Sequence, residues 1–248
     1  IQVNANDIAV SGGTPKWFLA TLLLPENEPT STAKDIFDQI NKAASEIGVT
    51  VIGGHTEITL GLSRPIICGT MLGESAPSET VKTSTAGVGD EIILTSGIAI
   101  EGTAIIAREH FEKLRSSGLT EFQIKKASTF LDSPGISVLK AAKAAASTGL
   151  VTSMHDPTEG GISGALVELS KASNTGIAVD AGRVHIYPET KAICKALGLD
   201  PWGLIASGSV LITAKYGNSK KIIDRLNQDE LTAEIIGEVT ESSRGITR

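Results

Sequence analysis

"HDPTEGGISGALVEL" (His155–Leu169) is the stretch whose reading decides the fold. Asp156 stands before Pro157, and the proline ring pushes the residue ahead of it out of helical geometry. From there Ile162, Ala165, Leu166, Leu169 and Ala172 recur at helical spacing, the cleanest apolar stripe in the chain. The spacing predicts a strand "VTSMHD" (Val151–Asp156) that runs through a glycine turn into an amphipathic helix. Thr158 or Glu159 then sits at the mouth of that helix. The free amides of its first turn, with Gly160 and Gly161, form a natural seat for an anion. Glycine at two early helical positions costs about 1 kcal/mol each relative to alanine, so close approach there should return something.

Working outward, strand and helix patterns alternate. Ile36, Ile40, Ala44 and Ile47 mark a helix opened by Thr32 and Asp35 at capping-box spacing and stopped by Gly48. Strands are expected at Val49–Ile52, Pro65–Leu72, Asp90–Ser96, in "GIAVD", at Ser209–Ala214 and at Ala233–Val239. Helices are expected from Gly97 to about Arg115, around Ile136–Ala146, from Pro188 to Gly198 and around Lys220–Leu226. This alternation indicates a mixed α/β protein. The aperiodic stretch "GESAPSETVKTSTAGVGD" (Gly73–Asp90) is the best boundary, dividing a first lobe, residues 1–83, from a second, residues 84–248.

The totals exclude several classes. With 41% hydrophobic and 20% charged residues, the 248-residue chain has an ordinary globular composition. A formal charge of −6 without a basic cluster argues against nucleic-acid or anionic-membrane partners. The apolar run "FLATLLL" (Phe18–Leu24) is too short to span a bilayer. Cys68 and Cys194 form no framework and read as reduced thiols, so a cytoplasmic location is expected.

Two further stretches carry candidate chemistry. In "VNANDIA" (Val3–Ala9), Ile1, Val3 and Ala5 alternate with Gln2, Asn4 and Asn6, which reads as a strand with one polar face. Asp7 then stands where a helix should start, either as a plain N-cap or as a Mg²⁺ or phosphate site. In "VIGGHTE" (Val51–Glu57), Gly53 and Gly54 would let the backbone approach a ligand, while His55, Thr56 and Glu57 add polar groups. Gly-Gly alone is more often a plain turn, and His55 with Glu57 lacks a clear third ligand for zinc. No Walker loop or GxGxxG turn is present. His110 and His185 read as structural or solvated.

With these stretches in hand, the chain resembles the superfamily of aminoimidazole ribonucleotide synthetases, whose relatives include thiamine-monophosphate kinase, selenophosphate synthetase and the hydrogenase-maturation protein HypE. "VNANDIA" is similar to the family's V-N-x-N-D-[IL]-A, "GGHTE" to its G-G-[DEH]-T turn, and "AGVGDEIILTSG" to its domain-opening segment. "HDPTEGGISGALVELSKASNTGIAVD" and "YPETKAICKALGLDP" are most like the HypE branch, whose pattern at the first is D-P-T-R-G-G.

The resemblance implies a PurM-like two-lobe fold and an ATP- and Mg²⁺-dependent enzyme that activates a carbamoyl-type oxygen by phosphorylation. It also implies a homodimer paired through its first-lobe sheets and a carbamoyltransferase-like maturation partner. Asp7 and Asp156 would be the catalytic acids, with Asp7 and Glu57 on the metal. Asn4, Gly53–Thr56 and Thr158–Gly161 would hold the nucleotide. The alternatives are a non-catalytic nucleotide-binding scaffold dimer, or a small-molecule kinase or synthetase of purine, thiamine or selenium metabolism. Relatives carry an acidic glycine-rich loop upstream of V-N-x-N-D that this chain lacks, so the first lobe reads as trimmed. A C-terminal cysteine tail is likewise missing, and His55 replaces the usual acid after Gly-Gly.

Overall fold

A computed structural model describes all 248 residues. It forms a mixed α/β molecule with two helix-covered sheets. The first part runs α1 (Gln2–Val10), β1 (Thr14–Leu24), α2 (Thr30–Glu46), β2 (Thr50–Ile58) and β3 (Ile66–Glu74). The run "FLATLLL" is the heart of β1, central in the order β2-β1-β3, parallel to β2 and antiparallel to β3. Alternation decides its faces: Phe18, Ala20, Leu22 and Leu24 are buried. Phe18 and Ala20 pack with Met71 of β3 against Ile36, Ile40 and Ala44 of α2. The capping-box expectation fails locally, since α2 starts at Thr30 after Pro29 without a side-chain cap, and the Thr32 hydroxyl donates to Glu28 instead.

The second part comprises β4 (Asp90–Thr95), α3 (Ile100–Glu109), α4 (Phe111–Ser116), α5 (Glu121–Ser128), α6 (Leu139–Ala146), β5 (Val151–His155), α7 (Gly161–Ser173), β6 (Gly176–Val179), α8 (Pro188–Leu197), β7 (Leu211–Lys215), α9 (Ser219–Gln228), β8 (Ala233–Thr240) and β9 (Ile246–Thr247). Six strands pair in the order β5-β7-β4-β8-β6-β9. Central β4 alternates its side chains between two cores. Ile92 and Leu94 meet Ile162, Leu166 and Leu169 of α7, while Ile93 meets the alanines of α6, Ile222 and Leu226 of α9, and Ala9 and Val10 of α1. Each such leucine or isoleucine removed from water contributes about 1.5–3 kcal/mol.

Three expectations change in detail. The helix predicted to reach Arg115 breaks at His110, whose φ of −123° and ψ of 33° lie outside helical geometry and separate α3 from α4. Helix α5, opened by a Thr120–Gln123 capping box, has no counterpart in the sequence reading. Ala172, expected on the buried stripe of α7, is exposed, so the stripe ends at Leu169.

Candidate active site

"VNANDIA" folds as helix α1, not as a strand. Its polar–apolar alternation mimics a strand period, but Ala5, Asn6, Ala9 and Val10 are the buried set, at i, i+1, i+4 and i+5. Asn6 is fully buried: its Oδ1 accepts from the Val138 amide at 2.9 Å and its Nδ2 donates to the Ile136 carbonyl at 2.8 Å. Asn4 turns instead to the first sheet, donating to the Gly69 carbonyl at 3.4 Å. Asp7 is therefore no N-cap. It lies in the second half of α1, exposed, and its carboxylate makes no hydrogen bond or ion pair within the chain.

Asp156 reaches the same place from the second sheet. β5 delivers it, Pro157 stops the strand from running on, and the residue is only 3% exposed. Its Oδ2 has no hydrogen-bond partner. Burial first, then the negative charge of Asp7, pushes its carboxyl up to about 7, with Glu159 and Glu168 adding to the rise and its own backbone amide opposing it. Asp7 is likewise raised, chiefly by desolvation, with His155 pulling it down and Glu159 pushing it up. Two carboxylates from distant parts of the chain thus share one locality. A buried, unpaired carboxylate is costly, and oxygen donors of this kind suit a hard divalent cation such as Mg²⁺. No three His, Cys, Asp or Glu side chains converge closely enough to chelate a metal, so the two acids would share it with water or phosphate oxygens.

The glycine turn ahead of α7 departs from the expected anion seat. Gly160 is the N-cap in left-handed geometry, and Gly161 has φ +62°. A Cβ on Gly161 would run into the carbonyls of Trp202 and Leu204, so this glycine serves close packing. The amides of Gly161, Ser163 and Gly164 already donate to Thr158, Trp202 and Gly160. The Thr158 carbonyl also accepts from Ala206. Three amides of the first turn are therefore committed within the protein. Glu159 remains exposed on this turn, without a hydrogen bond or ion pair.

Nor is Gly53–Glu57 a turn. It lies inside β2, with the register against β1 shifting between Phe18 and Leu19. Gly54 has φ +153°, and a Cβ there would strike the Ala20 carbonyl, so the pair allows a bulged edge strand to approach its neighbour. His55 and Glu57 are exposed and face each other at 3.3 Å. Neither is among the charges that act on Asp7 or Asp156.

Sequence reasoning passed over His155 and Glu168, whose Nε2 and Oε2 are 2.7 Å apart beside the two acids. The adjacency of His155 to Asp156 was visible; its pairing with Glu168 needed the placement of α7 on β5. A cavity of about 690 Å³ lies elsewhere, between Gly12, Thr80, Lys143 and Ser147, and includes neither Asp7 nor Asp156.

Two family models match: AIR synthase related protein, C-terminal domain, over residues 87–248, and the corresponding N-terminal domain over residues 1–75. A Methanocaldococcus jannaschii protein named for hydrogenase expression and formation is 29% identical over 99% of this chain and 70% of its own length. Carbamoyl dehydratase HypE of Rhizobium leguminosarum bv. viciae is 28% identical over 94% of this chain, which spans 65% of that protein. Among solved structures, HypE in complex with ATP superposes with a TM-score of 0.82 at 22% identity, covering 99% of this chain and 71% of that one. A chain of a solved HypE–HypF complex gives 0.81 at 23% identity, covering 98% of this chain and 77% of that one.

Proposed function

The chain belongs to the AIR synthase related family, and from that membership we propose that it is an ATP- and Mg²⁺-dependent enzyme of the HypE type. Its second lobe, residues 84–248, would supply Asp156 and its first, residues 1–83, Asp7. One observation carries the reading: Asp156 is buried with an unpartnered oxygen beside Asp7. Phosphoryl transfer demands positioning and charge neutralisation more than covalent chemistry. Asp7 and Asp156 are suited to hold the cation that accompanies the nucleotide phosphates, and that cation would offset the charge developing on the transferred group. Glu57 faces His55 on β2 and is not among the charges acting on either acid, so this reading rests the cation on Asp7 and Asp156.

The acceptor would be a carbamoyl-type group on sulfur, R–S–C(=O)NH₂. Its oxygen takes the γ-phosphoryl group and ADP leaves; loss of phosphate and of both N–H protons then leaves R–S–C≡N. The curated relatives named carbamoyl dehydratase support this choice. A carbamoyltransferase-like maturation partner is part of the same reading, supported by the HypE–HypF complex among the structural relatives. So is a homodimer: the face of the first sheet away from α1 and α2 leaves Trp17, Ile66 and Leu72 exposed.

The test is thermal unfolding with ATP, Mg²⁺, both or neither, followed by phosphate release with a peptide ending in S-carbamoyl cysteine. Ligand at 100 times its Kd adds about 2.7 kcal/mol. A rise only with ATP and Mg²⁺ together, lost in Asp156→Asn, is expected; no rise would overturn the reading. Release with a small phosphorylated acceptor and none with the peptide would redirect it to a small-molecule kinase.

A further inference from the structure

The cavity of about 690 Å³ is built from three separate parts of the chain. Ala9 and Gly12 come from the end of α1 and its turn into β1. Glu79 and Val81 come from the Gly73–Asp90 connection, and Leu139, Lys143 and Val151 from α6 and β5. Two contacts hold its wall in place without a ligand. The Val81 amide donates to the Ser11 carbonyl at 3.1 Å. Gly12, at φ +77°, leaves room for the Glu79 carbonyl where a Cβ would stand. The size falls in the range of about 300–1,000 Å³ typical of small-molecule pockets, which concentrate where packed units meet.

The chemistry of the lining selects a ligand class. Ala9 belongs to the buried cluster around Ile93, and Leu139 and Val151 pack against that cluster, so the floor is apolar. Lys143, in the last turn of α6, is the only lysine or arginine in the lining. None of the chain's ion pairs uses it, and none uses Glu79. A single free ammonium can anchor a single anionic group. Glu79 in the same lining repels further negative charge, which disfavours a polyphosphate. The cavity is also remote from the paired acids along β5: Val151 opens that strand and Asp156 follows its end, roughly 16 Å away at strand rise.

We propose that this cavity is a second ligand site, built for an amphipathic organic anion. An apolar ring or chain body would rest on Ala9, Leu139 and Val151, and one carboxylate or sulfonate end would pair with Lys143. The inference goes beyond the nucleotide reading and stands independently of it.

The experiment titrates the chain with anilinonaphthalene sulfonate, a ring body bearing one sulfonate, and follows the probe's fluorescence. The parent is expected to bind it saturably, one to one. Lys143→Gln should weaken binding about three- to tenfold. Ser147→Phe, which puts a ring into the lining, should weaken it as well. Both positions are exposed, so the unliganded melting temperatures of these variants should match the parent's. Phenylnaphthylamine, which keeps the rings without the sulfonate, should bind more weakly and be indifferent to Lys143→Gln. Asp156→Asn should bind the sulfonate probe as the parent does, whatever becomes of nucleotide binding. No saturable binding by the parent, or parental affinity in Lys143→Gln, overturns the inference. Binding lost in Ile66→Glu but kept in both cavity variants would place the probe on the open sheet face and overturn it too.

Discussion

Asn6 in α1 grips the chain ahead of α6 with both ends of its amide, accepting from Val138 and donating to Ile136 in a fully buried setting. Replacing it with alanine deletes two hydrogen bonds and strands the Val138 amide without an acceptor. Asn6→Ala should destabilise the protein by about 2–3 kcal/mol, read as a lower urea midpoint with an unchanged slope. An unchanged midpoint would mean that this amide does not tie α1 energetically to the chain ahead of α6.

The Asp156 carboxyl gives a pH signature whose sign is fixed. Its ordinary value of 3.8 rises to about 7 in the fold. Between those values the unfolded chain has released the proton that the folded chain keeps, so this residue's contribution falls as pH rises from about 4 through 7, then levels off. The span is on the order of 4 kcal/mol. Without ligand, Asp156→Asn should match the parent near pH 4 and become the more stable of the two by pH 8. Chemical denaturation across that range measures it; parallel curves would show that the carboxyl ionises normally.

Gly161→Ala should cost more than about 2 kcal/mol, because φ +62° is strained for alanine and its methyl would meet two carbonyls. Gly48, also at positive φ but with open space around its would-be Cβ, provides the control. Gly48→Ala carries the backbone strain alone and should lower the melting temperature less. Equal losses would remove the packing role assigned to Gly161.

On the open face of the first sheet, Leu23 is paired in register with Ile66 and Trp17 with Leu72. If that face pairs with a second copy, Ile66→Glu should convert a dimer to a monomer in sedimentation, since an unpaired charge in an apolar interface costs several kcal/mol. A parent that sediments as a monomer would count against the homodimer.

Legibility from sequence followed locality. Helix α7 and strand β4 were readable because their periodicity and their burial agree. Residues of α1 misled because "VNANDIA" alternates over so short a span that a strand period and a helix face fit equally well. What decides for helix is Asn6, whose partners lie 130 and 132 residues away. Gly53–Gly54 read as a turn since two glycines usually punctuate; only pairing with Ala20 shows them inside a strand. Asp7 and Asp156 were each visible as polar residues at element ends. Their meeting, and the pairing of His155 with Glu168, depend on how helices dock on the second sheet.

Ala9 and Val10 sit in the core beneath β4 and α6, although they precede the whole first sheet in the chain. Scissors applied in the Gly73–Asp90 connection would therefore not yield two clean halves. A piece beginning at residue 84 would lose a helix from its own interior, bare the alanine floor of α6, and keep Asp156 with no acid opposite. The two pieces should then seek each other and recombine from solution, restoring the paired acids only on reassembly.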